Sequence, residues 1–393
     1  MSVATTRNFI ERIQFEEHMT IEFPVEPGFA RQRERFLHAA KAAGATLACY
    51  EHPLQGPSGE TLATDVAWLG APDARRVLVA ISGTHGVEGY YGSACQTAWL
   101  HELSSRKLPE GVAVMLVHLI NPWGTAWVRR VNEDNVDLNR NYVDFDAPLP
   151  VNPRYETIHE IYTCRDIDGP ARRHADAQLA SHVRSMGWAE YQALVGAGQY
   201  VHADGLFHGG AKATWSNRTL RAIVERFLRP AQVAIAFDLH TGAGAFGHPM
   251  LMAIAQSRYP ALIDAQTLYG PWLYTLLTQA DAATSETGVV ARATGYTSQA
   301  MLDALPDTHL MQLVIECGTY AEEPMHEALR NDHWLHLHGD PRDARGRQIS
   351  RALFEAFLPA DEDWRDIAWR RTRQIWERAL KALPELAPVP RRS

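Results

Sequence analysis

Apolar residues recur along this chain in two rhythms, and each rhythm predicts elements. Across residues 28–43, Phe36, Leu37, Ala40 and Ala43 fall at helical spacing, and Gly44 supplies a stop. Residues 46–50 and 62–68 read as strands. Pro53, Gly56, Pro57 and Gly59 lie between them and predict a hairpin at the edge of a sheet. Four runs then read as near-continuously apolar, buried strands: residues 76–82, 112–120, 232–238 and 310–315. A helix is predicted between the first two, over 90–102. Buried strands alternating with helices imply an α/β fold whose parallel sheet is covered on both faces.

Further helices are predicted over 177–195, from a Ser216-Asn217 cap through Leu228, around 261–279, and over 361–382. Asn121-Pro122-Trp123-Gly124 reads as a loop, as do residues 201–210. Residues 143–175 are rich in Pro, Asp and Arg and show no clean period. With no internal repeat and no convincing linker, the chain is expected to be a single domain spanning 1–393. Residues 143–215 would be an insertion or lid, and 361–393 a terminal helix and tail.

The polar residues that end these runs carry the chemistry. The first run leads into Gly83-Thr84-His85-Gly86-Val87-Glu88-Gly89, the third into Asp238-Leu239-His240-Thr241, and the fourth into Glu316. In open α/β sheets the site lies at the carboxyl ends of the strands, so these groups are expected on one rim. A His and a Glu three positions apart can reach one cation from a single turn. With His240 they make two imidazoles and a carboxylate, a set that binds Zn²⁺ and leaves a fourth position open. Mn²⁺, Co²⁺ or Fe²⁺ would also fit such donors. Asp238 could orient a ligating ring. The plainer alternative is that each His caps its strand through a backbone hydrogen bond and that Asp238 serves a turn.

Residues 129–142, Arg-Arg-Val-Asn-Glu-Asp-Asn-Val-Asp-Leu-Asn-Arg-Asn-Tyr, form a dense polar run. The planar fork of arginine matches a carboxylate. Asn139 and Arg140 could therefore hold a substrate carboxylate, and Arg130 or Arg129 could stabilise an oxyanion. The alternative is a solvated loop of internal Arg–Asp pairs. Glu316, at the end of an apolar strand, is expected to be partly desolvated, which raises its pKa toward a value useful for proton transfer. The competing reading is a salt-bridged strand-end carboxylate.

Composition narrows the partners. The formal net charge of the 393 residues is -8 and no long basic run stands out, which argues against nucleic acid. Four scattered cysteines form no C-x-x-C pair and are expected to be reduced. No stretch approaches the length of a membrane span, and the first residues lack the apolar core of a secretory signal. The expectation is a soluble, cytoplasmic protein that acts on a small molecule. Its oligomeric state is not legible.

Taken in order, His85-x-x-Glu88, Asn121-Pro122-x-Gly124, the run from Val136 to Tyr142, Asp238-Leu239-His240 and Ile315-Glu316 resemble the zinc carboxypeptidase superfamily. These are the carboxypeptidase A-like metallopeptidases, with aspartoacylase-type deacylases as relatives. The wording is similar to that of a bacterial group of uncharacterised carboxypeptidase-like proteins, and the motifs span residues 83–320. The resemblance implies a mixed, mostly parallel sheet of about eight strands flanked by helices. It implies one zinc per chain on His85, Glu88 and His240, with Arg130 for the oxyanion and Arg129 as the alternative by one register. Asn139 and Arg140 would hold the substrate carboxylate, Glu316 would be the general base and acid, and Tyr296 or Tyr320 would stand for a mobile tyrosine. The substrate would be a small peptide trimmed from its C-terminus or an N-acyl amino acid. An inactive metal-binding scaffold is the rival from another class, though it would need neither Glu316 nor Arg130.

Overall fold

The computed structural model describes residues 21–278 and 293–389. The continuous apolar runs all form strands, joined by others into one eight-stranded sheet. The strands are β1 (Thr46–Gln55), β2 (Thr61–Leu69), β3 (Arg76–Ser82), β4 (Val112–His118), β5 (Val233–Gly242), β6 (Pro249–Ala255), β7 (Leu273–Leu277) and β8 (His309–Gly318). Their order is β1-β2-β4-β3-β5-β8-β6-β7. Strands β4, β3, β5 and β8 pair in parallel, as do β6 and β7. The hairpin β1–β2 and the contacts β2–β4 and β6–β8 are antiparallel. The result is the mixed α/β sheet that was expected, with a parallel centre.

Both faces of the central strands are covered, so they stay apolar up to the rim, with Gln312 of β8 as a buried exception. Leu78, Ala80, Phe237, Leu313 and Ile315 face one layer, formed by helices Phe29–Ala42, Gly89–Leu103, Ala344–Phe357 and Glu362–Ala382. Val77, Val79, Ile81, Ala234 and Ala236 face the other, under helices Trp215–Ile223 and Thr297–Ala304. Fully burying each such aliphatic side chain contributes about 1.5–3 kcal/mol. Asp238 and His240 continue the parity of Ala234 and Ala236, so they emerge on this second face at the C-terminal rim.

Several elements differ from the sequence reading. The helix expected over 177–195 is two helices, Pro170–Met186 and Trp188–Gly196, broken where Gly187 takes φ +82°. The cap of the helix after residue 213 is Thr214, whose side chain accepts from Asn217 N; Ser216 and Asn217 lie inside the helix. Its last turn, Val224–Leu228, is a π-helix. The helix expected around 261–279 covers only Leu262–Tyr269, and Gly270-Pro271 turns the chain into β7; residue 279 lies outside the described residues. Asn121-Pro122-Trp123-Gly124 opens a short helix, Pro122–Ala126, capped by Asn121. Strand β6 and the helices Glu322–His338, Ala344–Phe357 and Thr297–Ala304 were not anticipated. Pro53 sits in β1 where the register slips between Glu51 and Gln55, which an edge strand tolerates.

Residues 143–215 build a small apolar cluster of their own around Tyr155, Ile158, Tyr162, Tyr191 and Val195. No helix among the described residues is long and apolar enough to cross a membrane.

Several buried histidines are held neutral. Burial pushes His118, His326 and His333 down to about 3 and His336 to about 2, with nearby arginines adding to the effect on the last three. In the unfolded chain each would take a proton below about pH 6.5. The unfolded state therefore binds more protons between that pH and the depressed folded value, and stability must fall as pH falls from about 6.5. Each group contributes up to about 1.4 kcal/mol of loss by pH 5.5. Urea unfolding at pH 7.5 and 5.5 checks this, and a midpoint that does not drop at pH 5.5 contradicts the neutral-histidine assignment.

Candidate metal centre

The site forms where β3, β5 and β8 end side by side. Ile81 pairs with Asp238, and His240 pairs with Glu316, so groups from three strands meet on one rim. Beyond Ser82 the chain cannot continue as strand, because Gly83 turns at φ +74° with Leu119 against its Cα. The following turn is bound backbone to backbone. Gly86 N–H donates to the Arg130 carbonyl at 3.1 Å and Val87 N–H to that of Arg129 at 2.8 Å. Thr125 Oγ1 donates to the Gly86 carbonyl at 2.8 Å. A Cβ on Gly86 would fall inside the backbone of Gly124 and Thr125. Gly86 thus makes room for the helix that Asn121 caps, which explains the Asn121-Pro122-x-Gly124 motif.

One carboxylate organises the centre. Glu88 Oε1 lies 2.8 Å from His85 Nδ1 and accepts from Arg130 Nη1 at 3.1 Å. Its Oε2 lies 2.8 Å from His240 Nδ1 and accepts from Thr241 N–H at 3.2 Å. The outer nitrogens are held as well: His85 Nε2 is 3.2 Å from Asp137 Oδ1, and His240 Nε2 is 3.1 Å from Asp238 Oδ2. Thr84 Oγ1 donates to Asp238 Oδ1 at 2.8 Å and steadies that carboxylate. Carboxylates on both Nε2 atoms fix the protons there and leave the Nδ1 lone pairs facing Glu88. Lone pairs against a carboxylate repel unless a cation lies between them, either a proton or a metal.

One ligand atom from each of His85, Glu88 and His240 lies within 4.8 Å of the others, so the three residues fit a divalent metal. With protons alone the electrostatics tell the same story. Although burial opposes the charge, Asp238 and Glu88 hold the His240 imidazolium well above the usual histidine range. Burial also opposes ionisation of Glu88, yet the flanking histidines keep its carboxyl well below the usual range.

Part of the polar run braces the backbone and part of it faces the centre. Asn132 Oδ1 accepts from Val136 and Asp134 N–H. Asn141 joins Gly209 and Lys212 to the helix cap at Thr214. Arg129 turns away from the pocket to pair with buried Asp332 at 3.2 Å, so the register alternative for the oxyanion position is not brought to the centre. Arg130 is: its Nε donates to Asp137 Oδ2 at 3.0 Å, and Phe207 lies 5.2 Å from its guanidinium carbon. Asp137, given no role from sequence, therefore joins His85 to Arg130 and also accepts from Asn139 N–H. Its position two residues before Asn139 in the motif was the available signal.

Arg140 is buried and gives its protons to backbone carbonyls, with Nε to Gly196 O at 3.0 Å and Nη1 to Asn139 O at 2.8 Å. Among the described residues it forms no salt bridge, which leaves its charge available to an anion. Asn139 accepts from Thr297 N–H and Oγ1 through Oδ1, so its amide N–H is what remains for a ligand. Tyr296 lies beneath Arg140, 5.3 Å from ring centre to guanidinium carbon, and its backbone neighbour Gly295 abuts the Arg140 carbonyl. Tyr320 is exposed and does not line the pocket. Glu316 lines it, with Oε1 accepting from Ala243 N–H at 2.9 Å. Burial first, and then the charge on Glu88, push its carboxyl up to about 7. The remaining walls include Met252, Ile254 and Val314 from the sheet and Gln192, Gly196 and Phe207 from the 143–215 segment.

A family model described as a protein of unknown function, DUF2817, matches residues 27–371. The chain belongs to that family. None of the curated proteins matches it. Among solved structures it is similar to the carboxypeptidase A from Helicoverpa armigera, at 13% identity over 81% of this chain and 71% of that one, TM-score 0.39. It is similar to the succinylglutamate desuccinylase from Chromobacterium violaceum, at 13% over 83% and 74%, TM-score 0.36. It is also similar to the murein-tripeptide amidase MpaA from Escherichia coli O157, at 15% over 77% and 97%, TM-score 0.33.

Two outcomes are expected of this DUF2817 chain. His85→Ala should lower bound zinc by one equivalent per chain in elemental analysis of the purified protein; undiminished zinc would remove the ligand assignment. Gly86→Ala should destabilise at the upper end of the roughly 1–3 kcal/mol range for overpacking, since backbone rather than a flexible side chain blocks the new methyl. Denaturant titration reads that loss, and a neutral result would mean the turn can move away from Gly124.

Proposed function

We propose that this protein is a zinc-dependent hydrolase that cleaves an amide bond next to a free carboxylate, as a carboxypeptidase-like peptidase. The observation that carries this reading is the pairing of His240 with Glu316 on adjacent strands. It sets a protonatable carboxyl beside a centre of two imidazoles and a carboxylate. An inactive scaffold would have no use for a desolvated Glu316 on the same wall.

His85, Glu88 and His240 would hold the metal. When bound, the metal supplies Lewis acidity to the scissile carbonyl and acidifies water at neutral pH. Glu316, with its raised pKa, takes a proton from the attacking water and returns it to the departing amine. Arg130 remains tied to Glu88 and Asp137, so its guanidinium is already oriented toward charge that develops on the carbonyl oxygen. Arg140 and the Asn139 amide bind the substrate carboxylate, which places the bond to be cut and turns binding energy into orientation. Asp137 and Asp238 hold the imidazoles in their donor tautomer.

A second reading, removal of an acyl group from an N-acyl amino acid, draws on the wall that residues 143–215 place over the pocket. Gln192, Gly196 and Phe207 close one side of a cavity of about 200 Å³. We assign this segment the part of a lid that limits substrate length.

The test is a screen of N-acyl amino acids against peptides with free and amidated C-termini. Free-carboxylate substrates should be cleaved and amidated ones spared. Equal turnover of both would remove the role given to Asn139 and Arg140. Glu316→Gln should keep its metal and lose at least roughly 10²-fold in kcat. Full activity in that variant would assign proton transfer elsewhere.

A further inference from the structure

Outside the centre, a second set of ligand-type side chains meets on the 143–215 segment. One ligand atom from each of His159, His202 and Asp204 lies within 4.8 Å of the other two. The imidazoles stack face to face, with ring centres 3.8 Å apart and planes 19° from parallel. His159 Nε2 is 3.5 Å from Asp204 Oδ1, and its Nδ1 is buried with no hydrogen-bond partner among the described residues. His202 Nε2 donates to Glu156 Oε1 at 2.8 Å, which repeats the way Asp137 holds His85.

The backbone around these groups is set in advance. Gln199 Oε1 accepts from Val201 and His202 N–H, and Gln199 Nε2 donates to the His202 carbonyl at 2.7 Å. Asn135 Nδ2 donates to the carbonyls of Ala203 and Gly205, and His333 Nε2 donates to that of Asp204 at 2.8 Å. The bonds to Asp204 and its neighbours use main-chain atoms and leave its carboxylate exposed and available. The two imidazoles and the carboxylates of Asp204 and Glu156 gather nitrogen and oxygen donors in one place; to share an ion, one ring turns out of the stack, because each lone pair lies in its ring plane. Nitrogen and oxygen donors of this kind suit a borderline divalent cation.

We propose that His159, His202 and Asp204 form a second zinc site, distinct from the catalytic centre, with Glu156 orienting His202. Its place in the fold gives it a function. The loop that carries His202 and Asp204 continues into Phe207, which lies against Arg130 and, at 5.9 Å, against Arg140. The next carbonyl, that of His208, accepts from Asp137 N–H at 2.9 Å. A cation bridging helix His159–Tyr162 to this loop ties down the wall that covers both arginines. The site therefore sets the rigidity of the lid, whatever reaction runs beneath it.

Zinc chloride titrated into chelator-treated protein should be taken up to two equivalents per chain. His159→Ala and, separately, Asp204→Asn should each remove one equivalent and leave the other. Asp204→Asn preserves side-chain shape and the main-chain bond to His333, which guards against simple misfolding. His85→Ala should remove the other equivalent and keep this one. A wild type that binds one equivalent, lost in His85→Ala, overturns the second site. So do two equivalents that persist in both His159→Ala and Asp204→Asn. A single equivalent that is lost in His159→Ala and in Asp204→Asn but kept in His85→Ala would instead count against the catalytic-centre reading and leave this site standing. Filling the second site should also slow hydrogen exchange at amides 199–208 by roughly tenfold at a zinc concentration about ten times its Kd. Unchanged exchange there would overturn the tie to the lid.

Discussion

Glu88 is a carboxylate taken out of water, and such a charge costs several kcal/mol unless partners replace its hydration. Its two oxygens are met by His85 from the same turn, His240 and Thr241 from β5, and Arg130 from the polar run. None of these partners is near Glu88 in sequence except His85. The centre therefore exists only if β3 and β5 keep their parallel register and the run 129–142 folds back over the first turn. The demand for charge neutralisation and the register of the sheet are the same constraint seen from two ends.

The backbone meets that constraint by close approach. The turn after β3 uses its own N–H groups to hold the carbonyls of Arg129 and Arg130, which fixes where the two arginines leave the chain. They then part: Arg129 goes to Asp332 on helix Glu322–His338, while Arg130 goes to Glu88 and Asp137. Asp137 couples His85, Arg130 and the turn that presents Asn139 and Arg140. Groups linked in this way act as a unit, so the effects of removing them should not add.

Much of the architecture was legible because it rests on local period. The helix near residue 36, the edge hairpin, the four continuous strands and the long terminal helix each carry a run of several residues with one clear rhythm. Strand β6 is just as apolar, but so short a run cannot be told from a buried helical turn by its period alone. The face of helix Glu322–His338 is interrupted by His326, Arg330, Asp332 and His333, which tertiary partners bury, so its period is blurred, whereas helix Ala344–Phe357 carries a regular apolar face of Ile349, Leu353, Phe354 and Phe357 that the sequence reading passed over. Helix 177–195 was overextended because a single glycine reads as tolerated until its left-handed φ is seen.

By itself, the sequence determined the donor types, their order along the chain and their placement at strand ends. Those follow from side-chain chemistry and from the parity of residues in a strand, both of which are local. Tertiary structure alone decided that Arg130 rather than Arg129 faces the centre, that Asp137 supports it, and that Gly86 yields to Gly124 rather than to a ligand. The same holds for the meeting of His159 with His202 and Asp204 across more than forty residues. An irregular polar run has no period from which a direction can be read. Where its side chains point is settled by which buried charges they must neutralise, and those charges come from distant parts of the chain.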